Sequence, residues 1–460
     1  MQTVSGLSFR ERFDNFLAGP RFVMTAALLT AVSFALRGEL VLYTIFCGLV
    51  MYICFGRKPM QPVMPMVVFA YLAPSTANNP GKTVNSVFFG DSGKYIIFVG
   101  CLIVLSVVYR IIVDRKQFFK ADRKMLLGML LLAAAYLLGG IGTPGYSKLW
   151  VKNIIFALVQ GVSVLVPYWL FTAGVDWEKL RKDYFSWVGF GAGFLLLFEI
   201  LFIYLTENIL RSGIIYRTGI YTGWGMYNNV GCMLAMMIPF GFSLARHYHR
   251  DTAAILVGTV FLGGVFLTAS RTSIIFGTLG YLACVFLILF YTNDRRGKLK
   301  RLIVVGVIGI ILALAFHKPI LRLFTQVVDN ANELLSRVEI YGRGFKQFLR
   351  NPVTGTGFYP AKGQAWGWST TDISEVLPDR WHNTVVQLLA STGTLGILAY
   401  GFHRYQTYRV IRLFRTRRQW LMAISILIML FCSLLDCHFF NIGPTLFYSM
   451  TLVVAEKRPQ

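Results

Sequence analysis

The sequence predicts an all-α fold, a polytopic membrane bundle of about twelve to fourteen transmembrane helices with one long extracytoplasmic loop. Three observations carry it. Hydrophobic residues make up 55% of the chain, charged residues only 14%, and the mean hydropathy is +0.58, too apolar for a soluble globule. Apolar stretches of roughly the length needed to cross a bilayer recur from end to end. Only the segment from His317 to Thr384 is too long and too polar for any such stretch to claim.

In chain order the apolar stretches are 22–36, 40–55, 62–74, 94–113, 125–142, 153–174, 185–205, 225–245, 254–269, 273–291, 302–316, 385–402, 419–435 and 443–455. Two pairs, 22–36/40–55 and 254–269/273–291, are tightly coupled, so each pair counts as one crossing or two. Three segments follow: 1–205 as N-terminal transmembrane helices, 206–403 as a core that includes the long loop 317–384, and 404–460 as C-terminal transmembrane helices. The loop begins amphipathic. Leu321, Phe324, Leu334, Leu335, Val338, Tyr341, Phe345 and Phe348 recur at helical spacing, and Glu339 and Arg343 form an i,i+4 pair. This predicts one or two surface helices ended by Asn351-Pro352. From Gly355 to Trp381 no period is visible, which predicts an ordered loop whose Trp366, Trp368 and Trp381 anchor at the interface or stack on sugars.

Charge sets the orientation. With the N-terminus inside and strict alternation, 29 of the 45 Lys and Arg fall in inner segments and 16 in outer ones, eight of those in the long loop. Cytoplasmic loops collect basic residues, so both termini are expected in the cytoplasm and the long loop outside. The formal net charge of +24 is then a topology signal, not a nucleic-acid surface. The seven cysteines lie mostly inside apolar runs without a C-x-x-C pair, so neither a disulfide frame nor a zinc site is expected. Pro80-Gly81-Lys82-Thr83 resembles the end of a phosphate-binding loop, but Thr76 stands where the first glycine belongs.

Several outward residues are polar where an apolar one would cost less. Arg271, in Thr268-Ala-Ser270-Arg271 between two apolar runs, costs several kcal/mol near bilayer depth unless it meets a partner or a water-filled cavity. Arg217 precedes a span, whereas Arg37 in a tiny turn reads as a topology residue. Several guanidinium groups on one face suit a phosphate-bearing ligand, because the planar fork binds phosphate oxygens bidentately. His382, at the edge of a span and followed by Asn383, is a candidate general base. Asp436-Cys437-His438 is the nearest approach to a metal set, but adjacent residues rarely point at one ion, so no metal or cofactor is expected.

These pieces, taken together, resemble the O-antigen ligase and O-antigen polymerase family of bacterial surface-polysaccharide enzymes. The stretches are Arg217…Gly223-Trp-Gly-Met-Tyr-Asn-Asn229, Thr268-Ala-Ser-Arg271, Arg337-Val-Glu-Ile-Tyr341, Asn351-Pro-Val-Thr-Gly355-Thr-Gly357, and His382-Asn383 through Gly393 to Gly396. The chain departs from the family in having Asn228 where proline is frequent and Thr272 where glycine is. The resemblance implies a glycosyltransferase using an undecaprenyl-diphosphate-linked glycan and a sugar hydroxyl acceptor, inverting and metal-independent. By the same resemblance it would serve lipopolysaccharide or exopolysaccharide assembly in a bacterial inner membrane, beside other membrane proteins of that pathway. His382, Arg271 and Arg337 would be catalytic, and Arg217, Asn229, Tyr341, Arg343 and Asn383 would bind substrate. Two other classes remain open on the residues alone. One is a lipid-linked oligosaccharide flippase, although the halves show no internal repeat. The other is a peptidoglycan-type glycosyltransferase leaning on Asp372, Glu375 or Asp379.

Overall fold

The computed structural model describes residues 8–74, 93–206, 221–222, 225–247, 250–291, 295–329, 331–359 and 381–457. Among these there are seventeen α-helices. The first nine are α1 (Phe9–Leu17), α2 (Pro20–Leu36), α3 (Glu39–Phe55), α4 (Val63–Leu72), α5 (Gly93–Val113), α6 (Arg115–Lys120), α7 (Leu126–Leu138), α8 (Trp150–Gly174) and α9 (Tyr184–Thr206). They continue as α10 (Tyr227–His247), α11 (Asp251–Leu267), α12 (Arg271–Phe290), α13 (Arg295–Asp329), α14 (Ala331–Arg350), α15 (Thr384–Ile411), α16 (Arg417–Leu435) and α17 (Ile442–Lys457). The β structure described is a two-residue ladder, Tyr221–Thr222 against Gly225–Met226. The fold is the all-helical membrane bundle the composition predicts, and each apolar stretch of the sequence falls on a helix.

Length separates these helices. Six are long and apolar enough to cross a membrane, and a seventh span results if α1 and α2, bent by 72°, count as one. The expected spans 62–74 and 125–142 shrink to α4 and α7, shorter than the ~20 residues a bilayer needs. Gly139 and Gly140 end α7, the latter at φ +88, where a Cβ is disfavoured. The boundary expected at 316/317 is absent: α13 runs unbroken from Arg295 to Asp329. Helix α14 then ends at Arg350, where Asn351-Pro352 predicts it.

The bundle is organised around α10. Every residue from Asn229 to Leu244 is buried, as befits a helix apolar on all sides, and it packs against α9, α11, α12 and α16. The connections fall into two sets, each tied together by its own contacts. In one set Lys58 pairs with Asp14, Arg57 with Asp114, and Arg301 and Arg417 with Asp251, while the Lys124 backbone N–H donates to Glu456. In the other, segments 140–143, 228–229, 270–273, 351–359, 381–384 and 436–441 meet. This is the partition that strict alternation requires. Arg404, assigned by sequence to an inner connection, instead lies inside α15 with its guanidinium nitrogens buried.

The second set is held by a broken helix. At Gly393 (φ 61, ψ −154) α15 breaks, and the segment after α14 pairs with the exposed backbone. Thr356 and Gly357 N–H donate to the carbonyls of Ala390 and Ser391 at 2.8 and 3.0 Å, while Thr394 and Leu395 N–H donate to those of Pro352 and Val353 at 2.8 and 3.2 Å. Glycine is obligatory here: a Cβ at Gly393 would lie 2.5 Å from the Val353 carbonyl oxygen, and one at Gly355 2.4 Å from the Ser391 backbone. Irregular backbone inside an apolar bundle persists only when its polar groups are paired in this way. The Asn153 side chain completes the anchor, accepting from the N–H groups of Phe358 and Tyr359 at 2.6 and 3.0 Å.

Candidate active site

Asn383 starts the site by starting a helix. Its Oδ1 accepts the N–H groups of Val385 and Val386 at 2.8 and 3.2 Å, capping α15, and its Nδ2 donates to the Leu434 carbonyl at 2.7 Å. The side chain is thus engaged by the scaffold, as the cap of α15. His382, just before the cap, is held at φ +50, a left-handed conformation that costs a non-glycine residue about 1 kcal/mol or more. The Tyr341 hydroxyl donates to the His382 carbonyl at 3.2 Å and helps hold it there.

That backbone aims the imidazole at Asp436, whose Oδ1 lies 3.5 Å from His382 Nδ1. The carboxylate is itself fixed. Its Oδ1 accepts the Cys437 N–H at 2.7 Å, and its Oδ2 accepts from Asn228 Nδ2 at 2.8 Å. Burial pushes the Asp436 carboxyl up, but the His382 contact, His438 and the Cys437 N–H outweigh it and hold the group well below the usual carboxylate range. An ionised carboxylate at Nδ1 favours the tautomer with the proton there, which leaves Nε2 as the proton acceptor.

The neighbouring groups are scaffold. Asn229 Oδ1 accepts from Asn441 Nδ2 at 2.7 Å and lies 3.2 Å from His438 Nδ1. Burial lowers the His438 pKa, against the pull of Asp436. Asn229 is buried, and both its contacts serve to join α10 to the turn before α17. Asp436, Cys437 and His438 face three ways, towards His382, Gln387 and Asn229 respectively. Among the described residues no three His, Cys, Asp or Glu side chains gather as metal ligands.

The arginines are placed unequally. Arg337 Nη1 donates to the Leu435 carbonyl at 3.2 Å, one residue before Asp436, and shares a face of α14 with Tyr341. Arg271 is the first residue of α12, after Ala269 at φ +53. Its turn is tied to the site by Ser273 Oγ, which donates to the Asn228 carbonyl at 3.5 Å. A helix N-terminus repels a cation and attracts an anion, so an arginine there is at ease when an anion lies between them. Arg343 pairs with Glu339 on a different face of α14 from Arg337 and Tyr341. Arg217 lies outside the described residues, as do Trp366, Trp368, Asp372, Glu375 and Asp379. Trp381 neither anchors nor offers a stacking face: it is 2% exposed, packed on Ile340 and Ala390, over Gly344, where a Cβ would meet its ring at 3.1 Å.

Sequence reasoning missed Asp436 as the partner of His382, weighing it only as a metal ligand, and missed Asn228 as the clamp on that carboxylate. The available signal was a polar triplet, Asp436-Cys437-His438, between two apolar runs on the face that holds His382.

Residues 253–401 match the family model described as O-Antigen ligase. The matched span contains Arg271, Arg337, Tyr341, the Gly355-Thr-Gly357 turn, His382 and the break at Gly393, and it stops short of Asp436. No curated protein and no solved structure matches the chain.

Proposed function

Taking as premise that residues 253–401 form a domain of the O-antigen ligase family, we propose that the chain transfers a glycan from an undecaprenyl-diphosphate donor to a sugar hydroxyl by a direct, inverting displacement. The observation that carries this reading is the His382–Asp436 contact, set on the same group of connections as Arg271 and Arg337.

Asp436 holds His382 with its proton on Nδ1, and Nε2 takes the proton of the acceptor hydroxyl as that oxygen attacks the anomeric carbon. The bond from that carbon to the diphosphate oxygen breaks, and the electron pair leaves with the lipid diphosphate. Arg271 and the N-terminus of α12 receive one part of the developing charge and Arg337 another, the role a metal ion has in nucleotide-sugar enzymes. Asn228, Asn229, Tyr341 and Asn383 keep these groups in register. The transferase unit therefore reaches beyond 206–403, because Asp436 and Asn441 come from 404–460. In a bacterial cytoplasmic membrane with both termini inside, the site faces outward. Chemistry there draws its energy from the donor's own phosphate ester, since no ATP is at hand. The acceptor is a lipid-anchored oligosaccharide or a growing chain.

The test is transfer by the purified full chain in lipid vesicles, with a lipid-diphosphate-linked glycan, an acceptor glycan and EDTA. Product formed without nucleotide sugar supports the reading. A requirement for nucleotide sugar, or for added magnesium or manganese, overturns it.

A further inference from the structure

A slot of about 530 Å³ runs down the bundle between α5 and α8, with α3, α4 and the start of α17 as its other walls. Helix α5 packs against α3 and, at its end, α6. Only 17% of its apolar stretch is buried, so this wall stands at the edge of the bundle, against the bilayer. The two ends of the slot differ in their neighbours. Tyr71 and Ile442 line one end, and Tyr71 packs on Gly443, where a Cβ would lie 2.3 Å from its ring. Ile442 follows Asn441, which holds Asn229 in the candidate active site. Met60 lines the other end, and its N–H donates to the Gly174 carbonyl at 2.8 Å, tying the connection before α4 to the end of α8.

The lining is hydrocarbon. No charged side chain occurs among the described residues that form it, and its hydroxyls are engaged with backbone. Tyr43 donates to the Ala70 carbonyl at 3.0 Å and Ser163 to the Gln160 carbonyl at 2.8 Å, while Tyr71 accepts the Gly443 N–H. Water needs two or more polar partners, which such walls do not offer, and an empty space would forfeit dispersion contacts on every side. The occupant is therefore a hydrocarbon chain, and depth selects which one. On α5 the lining runs from Ile96 to Val107, and Val107 lies about 21 Å along the helix from its first residue. Half of a bilayer's hydrocarbon core is about 15 Å. The slot thus passes the midplane, beyond the reach of a phospholipid acyl chain anchored on the active-site side. A polyprenyl chain, longer than one leaflet is thick, reaches it.

We propose that this slot holds the polyprenyl chain of the lipid-diphosphate donor, an inference that rests on the transferase reading above. The tail descends from the end where Ile442 meets Asn441, which leaves the diphosphate on the side of Arg271 and Arg337. Slot and bilayer are equally apolar, so the slot contributes orientation and chain-length selection more than affinity. Gly100 gives access to the space: it lines the slot on α5, and a Cβ there meets nothing within 4 Å.

The experiment uses the purified full chain in vesicles of phosphatidylethanolamine and phosphatidylglycerol. The probe is undecaprenyl phosphate with a photoreactive group midway along its chain, and cross-linked peptides are read by mass spectrometry. The expected result is saturable labelling of α5 and α8, competed by unlabelled undecaprenyl phosphate and lost in Gly100→Phe. Gly48→Phe, at an exposed glycine of α3 outside the slot where a Cβ also meets nothing, keeps the labelling. Phosphatidylglycerol with the same group in its acyl chain leaves the segment around Val107 unlabelled. Labelling unchanged in Gly100→Phe overturns the proposal, as does equal labelling of that segment by the phosphatidylglycerol probe. The two probes on the wild type keep the test decisive if Gly100→Phe does not fold. Slot labelling in a chain that transfers no glycan supports the slot and overturns the transferase reading, so the two fail separately.

Discussion

His382 Nδ1 and Asp436 Oδ1 lie 3.5 Å apart, joining the end of the long loop to the turn between α16 and α17. In the proposed mechanism the pair divides the work of a base, with Asp436 setting the tautomer and His382 moving the proton. His382→Ala is expected to insert normally, to bind donor, and to lose at least about a hundredfold in transfer. Asp436→Asn keeps the shape and is expected to lose about tenfold or more. The double variant should be little worse than His382→Ala, because residues acting as a unit are not additive. Losses that multiply in the double variant would separate the two residues.

Charge geometry is tested by substitutions that keep the charge. Arg271→Lys and Arg337→Lys are each expected to cut turnover roughly tenfold or more, about 1.4 kcal/mol of transition-state binding, since an ammonium does not reproduce the guanidinium fork. Near-normal kcat and KM in both would reduce them to anchoring residues.

The pH response follows from Asp436. Its folded pKa is depressed, so its contribution to stability is fully present above the ordinary carboxylate range, near 3.9, and is lost as pH falls below it. The Tm difference between the wild type and Asp436→Asn should be constant from pH 7 to about 5 and close as the pH drops further. A difference that vanishes at neutral pH would show that the carboxylate has no stabilising partner.

The anchor of the broken helix is testable by stability alone. Asn153→Ala removes the acceptor of two buried N–H groups, at 2.6 and 3.0 Å, and should cost about 2–4 kcal/mol. Gly393→Ala forces a side chain into a left-handed position facing the Val353 carbonyl and should be worse. Both are read as loss of Tm in detergent. Unchanged Tm in Gly393→Ala would mean that α15 runs straight.

Sidedness is read by labelling single cysteines with an impermeant thiol reagent on intact spheroplasts, in a background with the native cysteines replaced. Lys82→Cys, Arg211→Cys and Lys362→Cys should label, whereas Lys120→Cys, Gly297→Cys and Arg415→Cys should not. Labelling of Gly297→Cys with protection of Lys362→Cys would invert the orientation.

What was legible in the sequence was whatever depends on neighbours along the chain. Each apolar run fell on a helix, Asn351-Pro352 ended α14, and the Glu339–Arg343 pair lies one turn apart. His382 and Arg271 stood out in the same way, because a polar residue at the edge of an apolar run is costly wherever the run packs. Tertiary structure alone decided which of these groups meet. Asp436 reaches His382 only because α15 and α16 lie side by side. The Gly355-Thr-Gly357 turn has a purpose only where α15 breaks at Gly393 and leaves backbone groups to pair. Arg404 looks like a loop residue in sequence, since hydropathy counts its charge and is blind to the rings of Tyr400, Phe439 and Tyr448 around it. Periodicity reports which face of a helix is apolar, whereas a contact between distant side chains depends on how helices pack.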